Sequence, residues 1–169
     1  MKILSTEIKN FPKLSLIGRR YTENDEQGDN FGNLWGKWQD GKQFLKLADS
    51  AKLFDDSPIG FMRYNNQSFE YWIVKFFYYQ TQPKQGFNKI EIPESKVGFA
   101  TLQGSNMREI YGGKAMDKSF AELVTQQKIS GLKFANIPYF FEYYDLSKFQ
   151  PQNGQYILDY GFYLPKNSI

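Results

Sequence analysis

The sequence predicts an α+β fold built from two strand, helix, strand, strand modules, and three observations predict it. Proline punctuation recurs at a nearly constant offset: Pro12 and Pro93 lie 81 residues apart, and Pro58 and Pro138 lie 80 apart. Each half holds one stretch with apolar residues at helical spacing, after the first proline of its pair. After the second proline each half holds two runs of aromatic and β-branched residues, the composition of strands. The repeat is one of pattern, with low identity between the halves.

The elements follow in order. Pro12 leads a strand over residues 13–21. The loop 22–30 carries Glu23, Asp25, Glu26 and Asp29 but lacks the spacing and terminal Glu of a calcium loop, so it reads as solvated. Asp29 or Asn30 can cap the first helix, whose stripe is Phe31, Leu34, Trp35 and Trp38. Both tryptophans belong to the core on this reading, and their indole N–H groups need acceptors if buried. Pro58 leads strands over 59–64 and 69–79, and a polar connector over 80–89 with Pro83 and Gly86 closes the first half. Pro93 leads a strand over 95–102. A second helix carries Met116, Phe120, Leu123 and Val124, with Asp117 and Glu122 early enough to favour its dipole and Gly131 placed to stop it. Pro138 then leads strands over 139–145 and 156–164. One domain spanning 1–169 is expected, with modules at about 11–79 and 91–165 and a connector at about 80–90.

Composition narrows the chemistry. The 169 residues contain no Cys and no His, which removes disulfides, Cys/His zinc sites and His-dependent triads and leaves carboxylates, Tyr, Lys and backbone groups for any catalysis. No metal or cofactor is expected. The charge balance is only +3, without the basic stripe that a phosphate backbone requires, so nucleic acid is not an expected partner. Neither helix reads as part of a helix-turn-helix, and a DNA-reading segment ahead of the first module is not expected. The only apolar run in the first eleven residues is Ile3-Leu4, too short for a signal peptide, and no stretch is long enough to span a membrane. A soluble, cytoplasmic protein is the expectation.

Sixteen Phe, twelve Tyr and three Trp dominate what a core or pocket can be made from. In the strand over 139–145, alternation puts Phe140, Glu142 and Tyr144 on one face and Tyr139, Phe141, Tyr143 and Asp145 on the other. A carboxylate set among rings loses hydration and needs compensation. A lipophilic cation can supply it, since unit charges at about 4 Å in an effective dielectric near 20 attract by roughly 4 kcal/mol before desolvation is subtracted. Each aromatic face adds about 0.5 to 2 kcal/mol. The plainer alternative has Glu142 bonded to Tyr hydroxyls or a Lys while the rings merely cover a sheet. Trp72 alternates with Glu70, Val74 and Phe76 on one strand face, and Tyr64 and Tyr111 are candidate cleft hydroxyls.

The element order resembles the GyrI-like small-molecule-binding domain, also found as the effector-binding half of AraC-type and MerR-type multidrug-responsive regulators. Local matches run from residue 11 to 165: Leu34-Trp35, Pro58-Ile59-Gly60 with Tyr64, the run Phe69-Glu70-Tyr71-Trp72-Ile73-Val74, Ile92-Pro93 with Val97-Gly98, Ile110-Tyr111-Gly112, the strand Ile137-Pro138-Tyr139-Phe140-Phe141-Glu142-Tyr143-Tyr144 and the closing Phe162-Tyr163-Leu164-Pro165. The resemblance implies two modules related by a pseudo-twofold, one antiparallel sheet covered by helices on one face, and a ligand cleft on the other. It implies that Glu142 projects into that cleft and that the strand of Trp72 borders it. Tyr111, Tyr144, Tyr64 and Phe140 complete the candidate ligand-binding set. The second helix lacks the Trp that many members carry. Stand-alone members bind a small molecule or a protein partner, so the leading expectation is a binding module for an aromatic or cationic amphiphile. Two alternatives stand beside it: a hydrolase of strained cyclopropane-containing electrophiles with Glu142 as general base, and a protein-interaction module.

Overall fold

The computed structural model describes residues 1–26, 31–149 and 153–168. In chain order the strands are β1 (Lys2–Phe11), β2 (Leu14–Thr22), β3 (Leu53–Asn65), β4 (Ser68–Tyr78), β5 (Asn88–Ile92), β6 (Ser95–Gly104), β7 (Phe140–Tyr143) and β8 (Tyr156–Tyr163); the helices are α1 (Gly32–Asp40), α2 (Met107–Ile110) and α3 (Gly112–Gln126). The chain divides into two units, Pro12–Glu94 and Met1–Phe11 with Ser95–Ile169. The first has strand order β3-β4-β2-β5 and the second β1-β6-β8-β7, and the pairings within each are antiparallel. The α+β class with antiparallel strands is therefore what the chain adopts.

In the first unit α1 covers one face of β2 and β4. Phe31 stacks on Tyr71 with ring centroids 4.3 Å apart. Trp38 is buried and Trp35 half-buried, and both indoles find acceptors: Trp35 Nε1 donates to the Tyr71 hydroxyl at 2.9 Å and Trp38 Nε1 to the Tyr21 hydroxyl at 2.7 Å. Trp72, on the alternate face of β4, points away from α1. In the second unit α3 packs so closely on β6 that a Cβ on Gly98 would come within 2.4 Å of the Leu123 side chain and force it to shift. Leu123 itself is fully buried, and truncating it to Ala would cost about 2 to 5 kcal/mol.

The structure corrects several element boundaries. β1 and β5 are strands that the sequence pattern does not announce. β1 is largely exposed and mixes charges with its apolar residues, so it lacks a strong apolar face, and β5 begins inside the stretch read as connector. Pro58 does not precede its strand but sits within β3, where four steps along β3, from Asp55 to Ile59, face only two on β4, from Phe76 to Val74. That bulge tolerates a residue with no N–H to donate. The second helix begins at Gly112 rather than near Met116, so Asp117 and Glu122 lie beyond its first turn and contribute little to its dipole. It ends well before Gly131: Lys128 takes the left-handed conformation at φ 54°, while the Ile129 and Lys128 amides close onto the Val124 and Thr125 carbonyls. The proposed caps Asp29 and Asn30 lie outside the described residues. The acidic stretch Glu23–Asp25 is an exposed single turn whose Asp25 carboxylate accepts from the Thr22 amide and hydroxyl.

Candidate functional site

Glu142 stands on the four-residue strand β7, opposite Tyr160 of β8. Phe140, two residues back, faces Phe162, which in turn faces Gly98 beneath Leu123. Alternation therefore puts Glu142 on the side of the sheet that the helices cover, not on a bare opposite face. Any ligand reaching this carboxylate in the second unit lies between strands and helices.

The residue is 9% exposed. Its Oε2 accepts a hydrogen bond from the Tyr144 hydroxyl at 3.0 Å. Tyr160 is likewise buried and donates its hydroxyl to the Ile110 carbonyl at 3.0 Å, fastening β8 to the end of α2. Tyr111 reaches the same group from the break between α2 and α3, with its ring 6.2 Å from that of Tyr144 in an edge-on arrangement. The local sequence makes that break. The side chain of Asn106 caps α2 by accepting from the Glu109 amide, Tyr111 is extended, and Gly112 takes φ 79°, a conformation that favours glycine. Phe149 closes the other side, 4.9 Å from the Tyr144 ring.

Electrostatics bind the group together. Burial pushes the Tyr111 phenol up to about 12, with hydrogen bonding to Tyr144 offsetting part of the rise and the Glu142 charge adding to it. Tyr160 is raised well above the usual tyrosine range, first by burial, then by the charges of Glu142 and Tyr111. Both phenols are thus neutral at physiological pH and offer ring faces and hydroxyls rather than competing negative charge. A carboxylate ringed by such faces can hold a cation by charge and by cation–π attraction together.

A second buried carboxylate occupies the first unit. Glu70 is 4% exposed and accepts from Arg63 Nε at 2.7 Å, Trp72 Nε1 at 3.1 Å, Asn65 Nδ2 at 3.2 Å and Arg20 at 3.4 Å. Burial alone would raise its pKa, but the bonds from Arg63, Asn65 and Trp72 outweigh that and hold it below the ordinary range.

Of the residues read from sequence, the structure brings Glu142, Tyr144 and Tyr111 together. Phe140 shares their face but packs into a cluster with Phe134, Phe120 and Phe162. Trp72 belongs to the other unit, where its indole is bonded to Glu70 and lies 5.7 Å beneath the Arg63 guanidinium. Tyr64 is also in that unit, 64% exposed, against Phe69. Sequence reasoning missed Tyr160, Phe149 and the Glu70 cluster. The last is set by a two-residue hairpin turn at Asn66 and Gln67, at φ 49° and 69°, which places Arg63 opposite Glu70 and which carries no glycine to announce it in the sequence.

No family model matches the sequence, and no curated protein does. Solved structures do match. SAV2435 bound to tetraphenylphosphonium aligns over 96% of this chain and 95% of its own at TM-score 0.60 and 14% identity. The EcmrR C-terminal domain aligns over 98% and 99% at TM-score 0.60 and 9% identity. An integron cassette protein from the mobile metagenome of Vibrio cholerae aligns over 96% and 97% at TM-score 0.51 and 16% identity. The fold agrees with the GyrI-like resemblance. At these identities the likeness is one of fold, and it extends over nearly the whole chain. Among the described residues no helix is long and apolar enough to cross a membrane.

Proposed function

We propose that this chain is a small-molecule-binding domain of the GyrI-like kind, and that its ligand is an aromatic or cationic amphiphile held at Glu142. The observation that carries the reading is a buried carboxylate hydrogen-bonded by Tyr144 and close enough to Tyr111 and Tyr160 to oppose their ionisation. A lipophilic cation compensates the lost hydration of that carboxylate, which a neutral ligand cannot do as well. Tyr111 is the entry residue: it is 37% exposed while its ring edge meets buried Tyr144, so it joins solvent to the carboxylate. Tetraphenylphosphonium bound to a protein of the same fold supports the ligand class.

Titration with tetraphenylphosphonium followed by amide NMR tests the location. Saturable shifts should centre on residues 110–112, 142–144 and 160. Shifts confined to residues 12–94, or no saturation at any accessible concentration, would refute the reading.

A further inference from the structure

We propose a second ligand site in the unit Pro12–Glu94, selective for an aromatic anion such as an aryl carboxylate or sulfonate. A cavity of about 560 Å³ lies there, within the range of small-molecule pockets. Phe44, Leu53 and Phe77 give it apolar walls, and Leu45, 77% exposed, stands at its edge as a large apolar side chain without cover.

Two lysines and two aspartates also line the cavity, and their commitments differ by sign. Both carboxylates are engaged. Asp49 accepts from the Ala51 amide at 3.0 Å and caps a short turn, and Asp56 is paired with Lys75. The ammonium groups keep unused capacity. Lys75 is 9% exposed, yet among the described residues its three N–H donors meet one acceptor, on Asp56, and the face of the Phe44 ring 5.3 Å away. Lys84 forms no side-chain hydrogen bond or ion pair among the described residues.

Burying an ammonium with donors unmet is costly, and an incoming oxyanion would meet them. The side chain of Asp56 is 64% exposed, so it can yield its place on Lys75 to a ligand at little cost in packing. An anion then sits between Lys75 and Lys84, with its rings on Phe44 and Phe77 under Leu45. Glu142 belongs to the other unit and is not needed, so this site stands or falls apart from the proposed function.

The probe is 8-anilinonaphthalene-1-sulfonate, titrated against the whole chain by fluorescence. Lys75→Met should weaken binding about tenfold or more, the loss expected when one charge-assisted contact worth about 1.5 to 3 kcal/mol is removed. Because Lys75 is buried, two surface variants guard against an unfolded control. Asp56→Asn, which removes the competing carboxylate, should tighten binding by about threefold, and Lys84→Gln should weaken it by a similar factor. Lys118→Gln, an exposed change in the other unit, should leave it unchanged. The proposal is overturned if Asp56→Asn and Lys84→Gln both leave the affinity unaltered, or if Glu142→Gln is the variant that abolishes it.

Discussion

Glu70 and Glu142 are two carboxylates buried to nearly the same depth, each beside an aromatic strand residue, and they are compensated differently. Glu70 is met by Arg63 and Arg20 together with an amide and an indole, a set of donors that holds it ionised in place. Glu142 is met by the hydroxyl of Tyr144 and surrounded by the phenols of Tyr111 and Tyr160, groups kept neutral by burial and by its own charge. The first arrangement surrounds the carboxylate with charged donors. The second surrounds it with neutral phenols, and the proposed binding of a cation rests on that difference.

The largest effect separating the two regions is on stability. Arg63→Met leaves Glu70 short of its best donor and should destabilise the fold by about 3 kcal/mol, the usual cost of removing one partner of a buried pair, read as a drop in the urea midpoint. Glu142→Gln should change stability by less than about 1 kcal/mol, because the amide oxygen still accepts from Tyr144 while a buried charge is removed. If Glu142→Gln proved as damaging as Arg63→Met, the contrast between the two carboxylates would collapse.

The same contrast has a pH signature of smaller size. Glu70 ionises more readily in the folded chain than at its ordinary value of 4.5, so the unfolded chain binds the proton more tightly. Its contribution is fully present above about pH 4.5 and is lost as pH falls through the lowered folded value. Arg63→Met loses much of this contribution at neutral pH, so the gap between it and the wild type should narrow on acidification through that window. A gap constant from pH 7 to pH 3 would show that Arg63 acts by packing alone.

Smaller still is the effect of Tyr144→Phe, which removes one hydroxyl from Glu142 and should cost about 1 kcal/mol in thermal or urea unfolding. The smallest expected change is spectroscopic. With the Glu142 charge removed by Glu142→Gln, the Tyr111 phenol should ionise somewhat below its value of about 12, because burial, the larger cause, remains. Ring-carbon NMR through the alkaline range would detect it, and an unmoved titration would mean that the two groups do not sense each other.

How much of this was legible in the sequence depends on what fixes each contact. Of the helical stripe Phe31, Leu34, Trp35 and Trp38, all but the half-buried Trp35 are buried as the spacing requires, and the strand alternation that set Phe140, Glu142 and Tyr144 together holds for their side chains. The Arg63–Glu70 pair depends on a two-residue turn at Asn66-Gln67, which lacks the glycine that marks such turns in a sequence, so strand ends read at 64 and 69 do not give the register. Tyr160 opposite Glu142 was not readable: a long connection joins β7 to β8, and no turn rule sets the register across it. The side on which Glu142 lies was equally hidden, since both faces of its strand are aromatic. What decided it is Leu123 resting on Gly98, a contact between residues 25 apart that periodicity cannot report.

A binding cycle asks whether Glu142 acts on a bound cation by charge, as proposed above. Calorimetric affinities of tetraphenylphosphonium and of neutral triphenylphosphine oxide, similar in shape, are measured on the wild type and on Glu142→Gln at one neutral pH. The substitution should weaken the cation by at least about tenfold, or 1.4 kcal/mol, and leave the neutral ligand within about twofold. Equal loss for both ligands, or no loss for the cation, would contradict the proposal.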